Sequence, residues 1–94
     1  MKRIKWNAEK NIWLKQNRNV TFDEILLFIE QGNLIDIIEH SDPNKYIGQK
    51  ILLVKVEGYI YCVPFIEKEE EIWFKTIFPS RKYTKKYLGG ELNK

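Results

Sequence analysis

Residues 71–88 read EIWFKTIFPSRKYTKKYL and join a predicted strand to a concentration of positive charge. Ile72, Phe74, Thr76 and Phe78 alternate with Trp73, Lys75 and Ile77, which is the two-residue period of a strand. After a break at Pro79 and Ser80, four cations follow within six residues, with two tyrosines among them: Arg81, Lys82, Lys85 and Lys86, with Tyr83 and Tyr87. Cations and aromatic rings at the end of a rigid strand are suited to hold a phosphate backbone. The alternative is a final strand followed by a solvated basic helix.

The composition is that of one small globular domain. The chain has 94 residues and is 44% hydrophobic, enough for a single modest core. No apolar run approaches the length of a membrane span and no signal-peptide core follows Met1, so we expect a cytoplasmic protein. With Cys62 as the only cysteine and His40 as the only histidine, an internal disulfide is excluded and a Cys/His zinc site within one chain is not credible. We expect no metal and no cofactor.

The charges are divided into blocks along the chain. Residues 1–18 carry six Lys or Arg against Glu9, a net of +5, and residues 73–94 carry six against Glu91, also +5. Residues 19–42 hold six acids and no Lys or Arg, a net of −6. If the two basic segments meet in the fold, they form one positive face suited to an anionic ligand, and the acidic segment lies elsewhere. A basic disordered tail is the alternative, and it applies to residues 89–94.

The first elements are a short strand and a helix. Residues 2–6 alternate as a strand does. Asn7 then suits the N-cap of a helix over residues 8–17, whose apolar side chains at Ile12, Trp13 and Leu14 we expect in the core.

The second helix has the clearest start signal in the chain. Thr21 followed by Glu24 forms a capping box, in which each side chain accepts from the other residue's backbone N–H. The apolar stripe that follows includes Phe22 and Phe28, and Gly32 suits the left-handed residue that ends a helix. We expect Phe22 and Phe28, like Trp13 and Trp73, to be core residues rather than ligand platforms.

The remaining pattern predicts strands joined mostly by hairpins. A tight turn at Glu57 and Gly58 separates two of the strands, and Pro64 is expected at a sheet edge or a bulge because it lacks an N–H. The predicted strands cover residues 34–40, 50–56, 59–66 and 71–78, with turns at 41–44 and 67–71, and a helix covers 81–88. The fold class is therefore α+β: a mostly antiparallel sheet of four to five strands, two N-terminal helices packed on one face, and a short C-terminal helix stopped by Gly89.

The sequence has no Gly-rich phosphate loop, nucleophile elbow or HExxH motif. The residues that remain are cations, tyrosines and one histidine, and they are suited to catalyse RNA cleavage. This reaction needs no nucleophile from the protein, because the 2′-hydroxyl of RNA is itself the nucleophile. The protein must orient that hydroxyl, help to move its proton and stabilise the added negative charge, all without a metal.

The catalytic candidates are cations and proton-transfer groups. Arg81 is the first, because its fork fits two phosphate oxygens, although it is also suited to a salt bridge with an acid from residues 19–42. His40 is the one histidine, the side-chain type that most often transfers protons in catalysis, and it follows a predicted strand, the alternative being a polar surface residue. Lys75 projects from the binding face or is an ordinary edge lysine, and Lys82 and Tyr83 adjoin Arg81. The substrate-binding candidates are Lys85, Lys86, Thr84, Arg3 and Lys5.

Two groups of residues, one near each end of the chain, carry a resemblance to a known family. Near the start they are Trp6-Asn7, Lys10, Leu14-Lys15 and residues 20–24 (VTFDE), and near the end they are residues 77–86 (IFPSRKYTKK). The first group is similar to the opening of BrnT-type toxins, a branch of the RelE/ParE-like superfamily, and the second is similar to that family's closing Ile-Ser-Ala-Arg-Lys-Ala-Thr segment.

The resemblance implies a single toxin domain of RelE/ParE-like fold from a type II toxin–antitoxin module. It implies a ribonuclease that inhibits translation and is neutralised by a small antitoxin with a DNA-binding domain, which we expect to be a ribbon-helix-helix protein. Arg81, Lys82 and Thr84 match the closing motif. The chain differs from the family at residues 16–19, where Lys-His-Gly is replaced, and at Lys85-Lys86, where a Glu is missing.

The sequence therefore leaves three hypotheses about the function open. The first is a metal-independent endoribonuclease toxin (an mRNA interferase). The second is a related toxin that binds and inhibits a protein target without catalysis, and the third is a plain nucleic-acid-binding or interaction module. The cations at Arg81 and Lys82 favour the first over the second.

Overall fold

The computed structural model describes residues 2–40, 42 and 44–92, and the side chains of residues 90–92 are not described. Over this part of the chain the backbone forms three helices and six strands. In chain order they are β1 (Arg3–Trp6), α1 (Ala8–Arg18), α2 (Phe22–Glu30), β2 (Leu34–Glu39), β3 (Gln49–Val56), β4 (Tyr59–Lys68), β5 (Glu71–Phe74), β6 (Phe78–Pro79) and α3 (Arg81–Leu92).

The predicted helix starts are confirmed by their hydrogen bonds. The Asn7 side chain accepts from the backbone N–H of Lys10 at 2.9 Å, and Thr21 and Glu24 form both halves of the capping box. Asn19 ends α1 in the left-handed region, with a φ of 55°. Local polar chemistry therefore sets where α1 and α2 begin and how the chain turns between them.

The strands form one mixed sheet in the order β1-β5-β4-β3-β2, with β6 paired to β4 beside this path. The β3–β4 hairpin turns at Glu57 and Gly58, whose φ values of 51° and 83° are both positive, as a type I′ turn requires. The α+β class and the mostly antiparallel sheet are confirmed. One detail differs, since β1 pairs with β5 in parallel.

Helices cover both faces of the sheet. On one face, Leu14 of α1 and Phe22 and Ile25 of α2 pack with alternate residues of β3 and β4, such as Leu52 and Val63. The two N-terminal helices thus lie on one face, as predicted.

The opposite face carries α3. Ile51, Leu53, Ile60 and Cys62 form a second cluster there, and Tyr83, Tyr87 and Leu88 of α3 pack against it. Helices cover both faces because the central strands β3 and β4 are apolar on both sides, and both sides must be covered.

Pro64 is not at a sheet edge. It lies in β4, in the middle of the sheet, and pairs with Ile51 of β3. On its other side the neighbour of β4 changes from β5, paired at Phe65, to β6, paired at Cys62. Pro64 lies between the stretch of β4 that pairs with β5 and the stretch that pairs with β6. On this side of β4, its missing N–H therefore interrupts no regular series of backbone hydrogen bonds. The predicted strand over residues 71–78 is interrupted at the same place, and Lys75 donates its N–H to the Pro64 carbonyl at 2.8 Å.

Two of the three apolar residues predicted to be buried in α1 are exposed. Leu14 is fully buried, but Ile12 is 60% and Trp13 is 40% exposed. Two cations contact the Trp13 ring, with Lys10 Nζ 4.1 Å and the Arg18 guanidinium carbon 5.0 Å from its centroid. The expectation fails because α1 is a surface helix that turns one narrow side to the core.

The helix predicted over residues 81–88 ends its regular part at Leu88, whose angles are non-helical (φ −124°, ψ 20°). Beyond this kink, helical structure resumes and continues to Leu92. The predicted turn at residues 41–44 and the predicted tail at 89–94 fall partly outside the described residues, namely at Ser41, Pro43, Asn93 and Lys94.

Candidate nucleic-acid interface

The start of α3 is fixed to the first residues of β4. Ser80, just before the helix, donates its N–H to the Ile60 carbonyl at 2.9 Å, and its hydroxyl accepts from the Tyr83 N–H at 3.1 Å. The second bond is the one expected of a capping serine. The cations that follow therefore project from a helix whose first turn is held against the sheet.

Thr84 stabilises this junction from inside the fold. Its side chain is fully buried, and its hydroxyl donates to the Ser80 carbonyl at 2.6 Å and accepts from the Ile60 N–H at 2.8 Å. Thr84 was a predicted substrate contact, but the structure places its hydroxyl inside the fold. The Arg-Lys-x-Thr pattern thus combines two exposed cations with one structural residue.

We predict that Thr84→Val lowers the free energy of unfolding by about 1–3 kcal/mol, since it leaves the buried N–H of Ile60 without an acceptor. Urea denaturation at neutral pH measures the change. Thr84→Ser keeps the hydroxyl and is the matched control, expected to lose much less. Equal losses would contradict this, because they would mean that the methyl group, which only Thr84→Ser removes, contributes as much as the hydroxyl.

The outer side of α3 is a stripe of cations. Arg81, Lys82, Lys85 and Lys86 are exposed, as two adjacent pairs one helical turn apart. Lys82 Nζ is 5.3 Å from the Tyr83 ring centroid and Lys86 Nζ is 5.5 Å from that of Tyr87. We call these four cations and two tyrosines the α3 surface. Among the described residues, none of the three ion pairs involves its cations, so no salt bridge to an acid of residues 19–42 holds Arg81.

The far end of the α3 surface is tied to β2. The Tyr87 hydroxyl donates to Asp36 Oδ2 at 2.8 Å, while Asp36 Oδ1 accepts from the Ile37 N–H at 2.8 Å. These two bonds lower the pKa of Asp36, and the nearby charge of Lys86 acts in the same direction. The bond to Asp36 raises the pKa of Tyr87, so Tyr87 remains a neutral hydrogen-bond donor.

The cations of β1 lie far from α3. Arg3 pairs in register with Glu71, which pairs with Lys68, whereas α3 begins beside Ile60. Lys68 and Ile60 are eight residues apart on β4, about 26 Å at roughly 3.3 Å per residue. The cations of β1 therefore do not join those of α3 in one positive face, so the condition for such a face is not met at this strand. Sequence could not show this, because it depends on the strand order.

The cations at residues 2–5 form ion pairs with carboxylates of the neighbouring strands. Lys2 Nζ lies 2.6 Å from Glu67, and both Arg3 and Lys5 contact Glu71, at 3.4 and 3.1 Å. Hydrogen bonds from Lys2 to Glu67, and from Trp73 and Lys5 to Glu71, lower the pKa of each carboxyl group. Arg3 and Lys5, predicted to bind substrate, instead pair within the sheet.

His40 is not beside Arg81. It follows β2, where Glu39 pairs with Lys50, while Ile60 at the start of α3 pairs with Lys55. The five positions between those pairs correspond to about 17 Å along the strands. The His40 ring instead stacks on Tyr46, with centroids 4.0 Å apart, and its Nδ1 accepts from the Asp42 N–H at 3.2 Å.

Lys75 is exposed at the interruption between β5 and β6. Its backbone bonds to Pro64, four residues along β4 from Ile60, or about 13 Å. Of the five predicted catalytic residues, α3 itself therefore brings three together: Arg81, Lys82 and Tyr83.

The link between Tyr87 and Asp36 was not predicted. Two signals were present in the sequence: Tyr87 follows Tyr83 by four residues, which places both on one side of a helix, and Asp36 interrupts the apolar run of β2. Neither signal identifies the other residue as its partner, since the contact spans 51 residues.

In the described part of the chain, no group of three or more His, Cys, Asp or Glu side chains is placed to hold a metal ion. No helix within the described residues is both long and apolar enough to span a membrane. Comparison with protein-family models, curated proteins and solved structures finds no match for this chain.

Proposed function

We propose that the chain is a metal-independent endoribonuclease that holds single-stranded RNA on the α3 surface. The observation that carries this proposal is the stripe of four exposed cations with Tyr83 and Tyr87 among them, on a helix braced by Thr84. Cations of this kind neutralise phosphates, and tyrosine rings stack on unpaired bases.

The reaction uses the substrate's own nucleophile. The 2′-oxygen of RNA forms a bond to the adjacent phosphorus while the bond from phosphorus to the 5′-oxygen breaks. The 2′-hydroxyl proton is removed and a proton reaches the leaving 5′-oxygen, giving a 2′,3′-cyclic phosphate and a 5′-hydroxyl end. Arg81 and Lys82 stabilise the added negative charge, and Tyr83 is the adjacent group with a transferable proton.

The biological setting follows from the resemblance to BrnT-type toxins and is part of the proposal. The chain is then the toxin of a type II toxin–antitoxin module, with a RelE/ParE-like fold. It acts in the cytoplasm on mRNA, and a ribbon-helix-helix antitoxin neutralises it. The α+β fold, the helix starts and the closing Arg-Lys-x-Thr pattern support this assignment.

A second candidate is nucleic-acid binding without cleavage. The observation in its favour is that the structure does not bring His40 or Lys75 beside Arg81, so that Tyr83 alone supplies a proton-transfer group next to the two cations. A nucleic-acid-binding module needs the α3 surface but no such group.

The two candidates differ in what they do to RNA and to DNA of the same sequence. We predict that the purified chain cleaves single-stranded RNA in the presence of EDTA and leaves 2′,3′-cyclic phosphate ends, because the 2′-hydroxyl is the nucleophile and no metal is required. The matched DNA, which lacks that hydroxyl, is bound but not cut. Gel analysis of the fragments and electrophoretic mobility shifts measure both activities. Binding of both strands without cleavage would support the second candidate, and no binding of either would exclude both.

A further inference from the structure

The exposed ring of Trp13 has the same kind of surroundings as the tyrosines of the α3 surface. Two cations, Lys10 and Arg18, lie within cation–π distance of this ring on α1. On α3, two lysines lie in a similar way beside the tyrosine rings. We call Lys10, Trp13 and Arg18 the α1 patch. An exposed aromatic ring beside cations is typical of surfaces that bind single-stranded nucleic acid.

Arg18 joins the α1 patch to the segment that leads into α3. Its Nη1 donates to the Ile77 carbonyl at 2.6 Å and to the Thr76 hydroxyl at 3.4 Å. Arg81 follows Ile77 by four residues, which span at most about 14 Å when extended. Through these contacts the Trp13 ring lies within about 25 Å of Arg81.

The short strand β6 separates the α1 patch from the α3 surface. The helices α1 and α3 lie on opposite faces of the sheet. Among the described strands, β6 pairs only with β4 and is two residues long, so its outer side is an edge around which the two faces are connected. Lys75, which precedes Thr76, is exposed at the same edge. A strand that passes β6 therefore meets a further cation between the two surfaces.

The charges of the α1 patch suit an anionic strand. None of the ion pairs among the described residues involves Lys10 or Arg18. Both bonds of Arg18 to residues 76 and 77 use Nη1, so the other N–H groups of its guanidinium are available for a phosphate. The one acid of α1, Glu9, lies one turn before Trp13, away from the end of the helix that Arg18 joins to Ile77.

We propose that the α1 patch is an additional contact for the single strand that the α3 surface holds, with a base stacked on Trp13 and phosphates bound by Lys10 and Arg18. The strand passes from α3 around the edge at β6 to α1. This inference rests on the proposed function, because it extends the same bound strand, and it assigns a binding role to a ring that the sequence pattern placed in the core.

We predict that Trp13→Ala weakens binding of a single-stranded 2′-O-methyl RNA of mixed sequence and about twelve nucleotides by about tenfold, the value of stacking one base. The methyl group blocks the nucleophile, so the strand is not cleaved during the measurement. Fluorescence anisotropy at several salt concentrations measures the affinity. The dependence of affinity on salt should stay the same, since Trp13→Ala removes no charge. Lys10→Ala should instead lower the slope of log affinity against log salt by about 0.7, the contribution of one phosphate contact.

Two further variants separate stacking from a general effect on α1. Trp13→Phe keeps an aromatic ring and should retain most of the affinity. Ile12→Ala is the matched control, because Ile12 is an exposed apolar residue of the same helix without a ring, and it should bind as the unaltered chain does. Circular dichroism verifies that the variants are folded.

The outcomes distinguish this inference from the proposed function. Failure of the unaltered chain to bind the strand would exclude the proposed function and this extension together. Binding that Trp13→Ala does not weaken would overturn the extension alone and leave the α3 surface as proposed. Equal losses in Trp13→Ala and Ile12→Ala would also overturn the extension, because they would mean that the shape of α1, and not the ring, matters. An unchanged salt slope in Lys10→Ala would contradict the phosphate contact of Lys10.

Discussion

Replacing Arg81 with alanine is expected to lower the rate of RNA cleavage about a hundredfold or more. Arg81 is exposed at the first turn of α3, and its guanidinium forms no ion pair with the described acids, so it is available to the substrate. Removing one group that stabilises charge developing in a transition state costs about this factor. The loss should appear chiefly in kcat, because Lys82, Lys85 and Lys86 remain for the proposed binding of the RNA backbone. Single-turnover cleavage of a labelled RNA measures it.

Two further variants separate the role of Arg81 from general charge. Arg81→Lys keeps the positive charge but loses the planar fork that binds two oxygens, so an intermediate rate is expected. Lys15→Ala removes an exposed cation from α1, on the other face of the sheet, and should cleave RNA at the rate of the unaltered chain. A full rate in Arg81→Ala would exclude this residue from catalysis.

Local signals in the sequence predicted the helix starts and the hairpin well. The Asn7 cap, the Thr21–Glu24 capping box and the Glu57–Gly58 turn each depend on residues a few positions apart, so the pattern contains all the required information. The alternation of apolar residues likewise predicted most of the strands.

Long-range pairing was beyond the sequence pattern. The parallel pairing of β1 with β5 puts Arg3 and Lys5 against Glu71, and this strand order separates them from α3. Block charges along the chain do not reveal that arrangement. The same limit explains His40, whose distance from Arg81 depends on the register of β2 with β3.

The burial of α1 shows a different limit. Ile12, Trp13 and Leu14 are consecutive apolar residues, so they point in three directions around the helix and periodicity alone does not select one. The structure buries Leu14 and leaves the Trp13 ring against Lys10 and Arg18. Aromatic rings in the core come instead from other elements.

We predict that Phe22→Ala lowers the free energy of unfolding by about 3–5 kcal/mol, the cost of emptying a large buried site. Phe22 is fully buried at the start of α2, and its ring centroid lies 5.6 Å from that of Trp6 and 6.0 Å from that of Phe74. It therefore joins α2 to β1 and β5. Because a small domain is stable by only about 5–15 kcal/mol, this loss is a large share of the total. Urea denaturation measures it, and Phe22→Leu, a smaller change, keeps the comparison measurable if the alanine variant does not fold.

Trp13→Ala is the matched control for Phe22→Ala, because it tests whether the loss of stability depends on how deeply the aromatic side chain is buried. It removes a larger aromatic side chain, but one that is 40% exposed and packed against two flexible cations. Contacts of this kind are worth about 0.5–1 kcal/mol each at exposed sites, so the loss should be far below that of Phe22→Ala. Equal losses would mean that Trp13 is a core residue, as its place in an apolar run first indicated. A small loss would establish that α1 contributes to the core through Leu14 and leaves Trp13 at the surface.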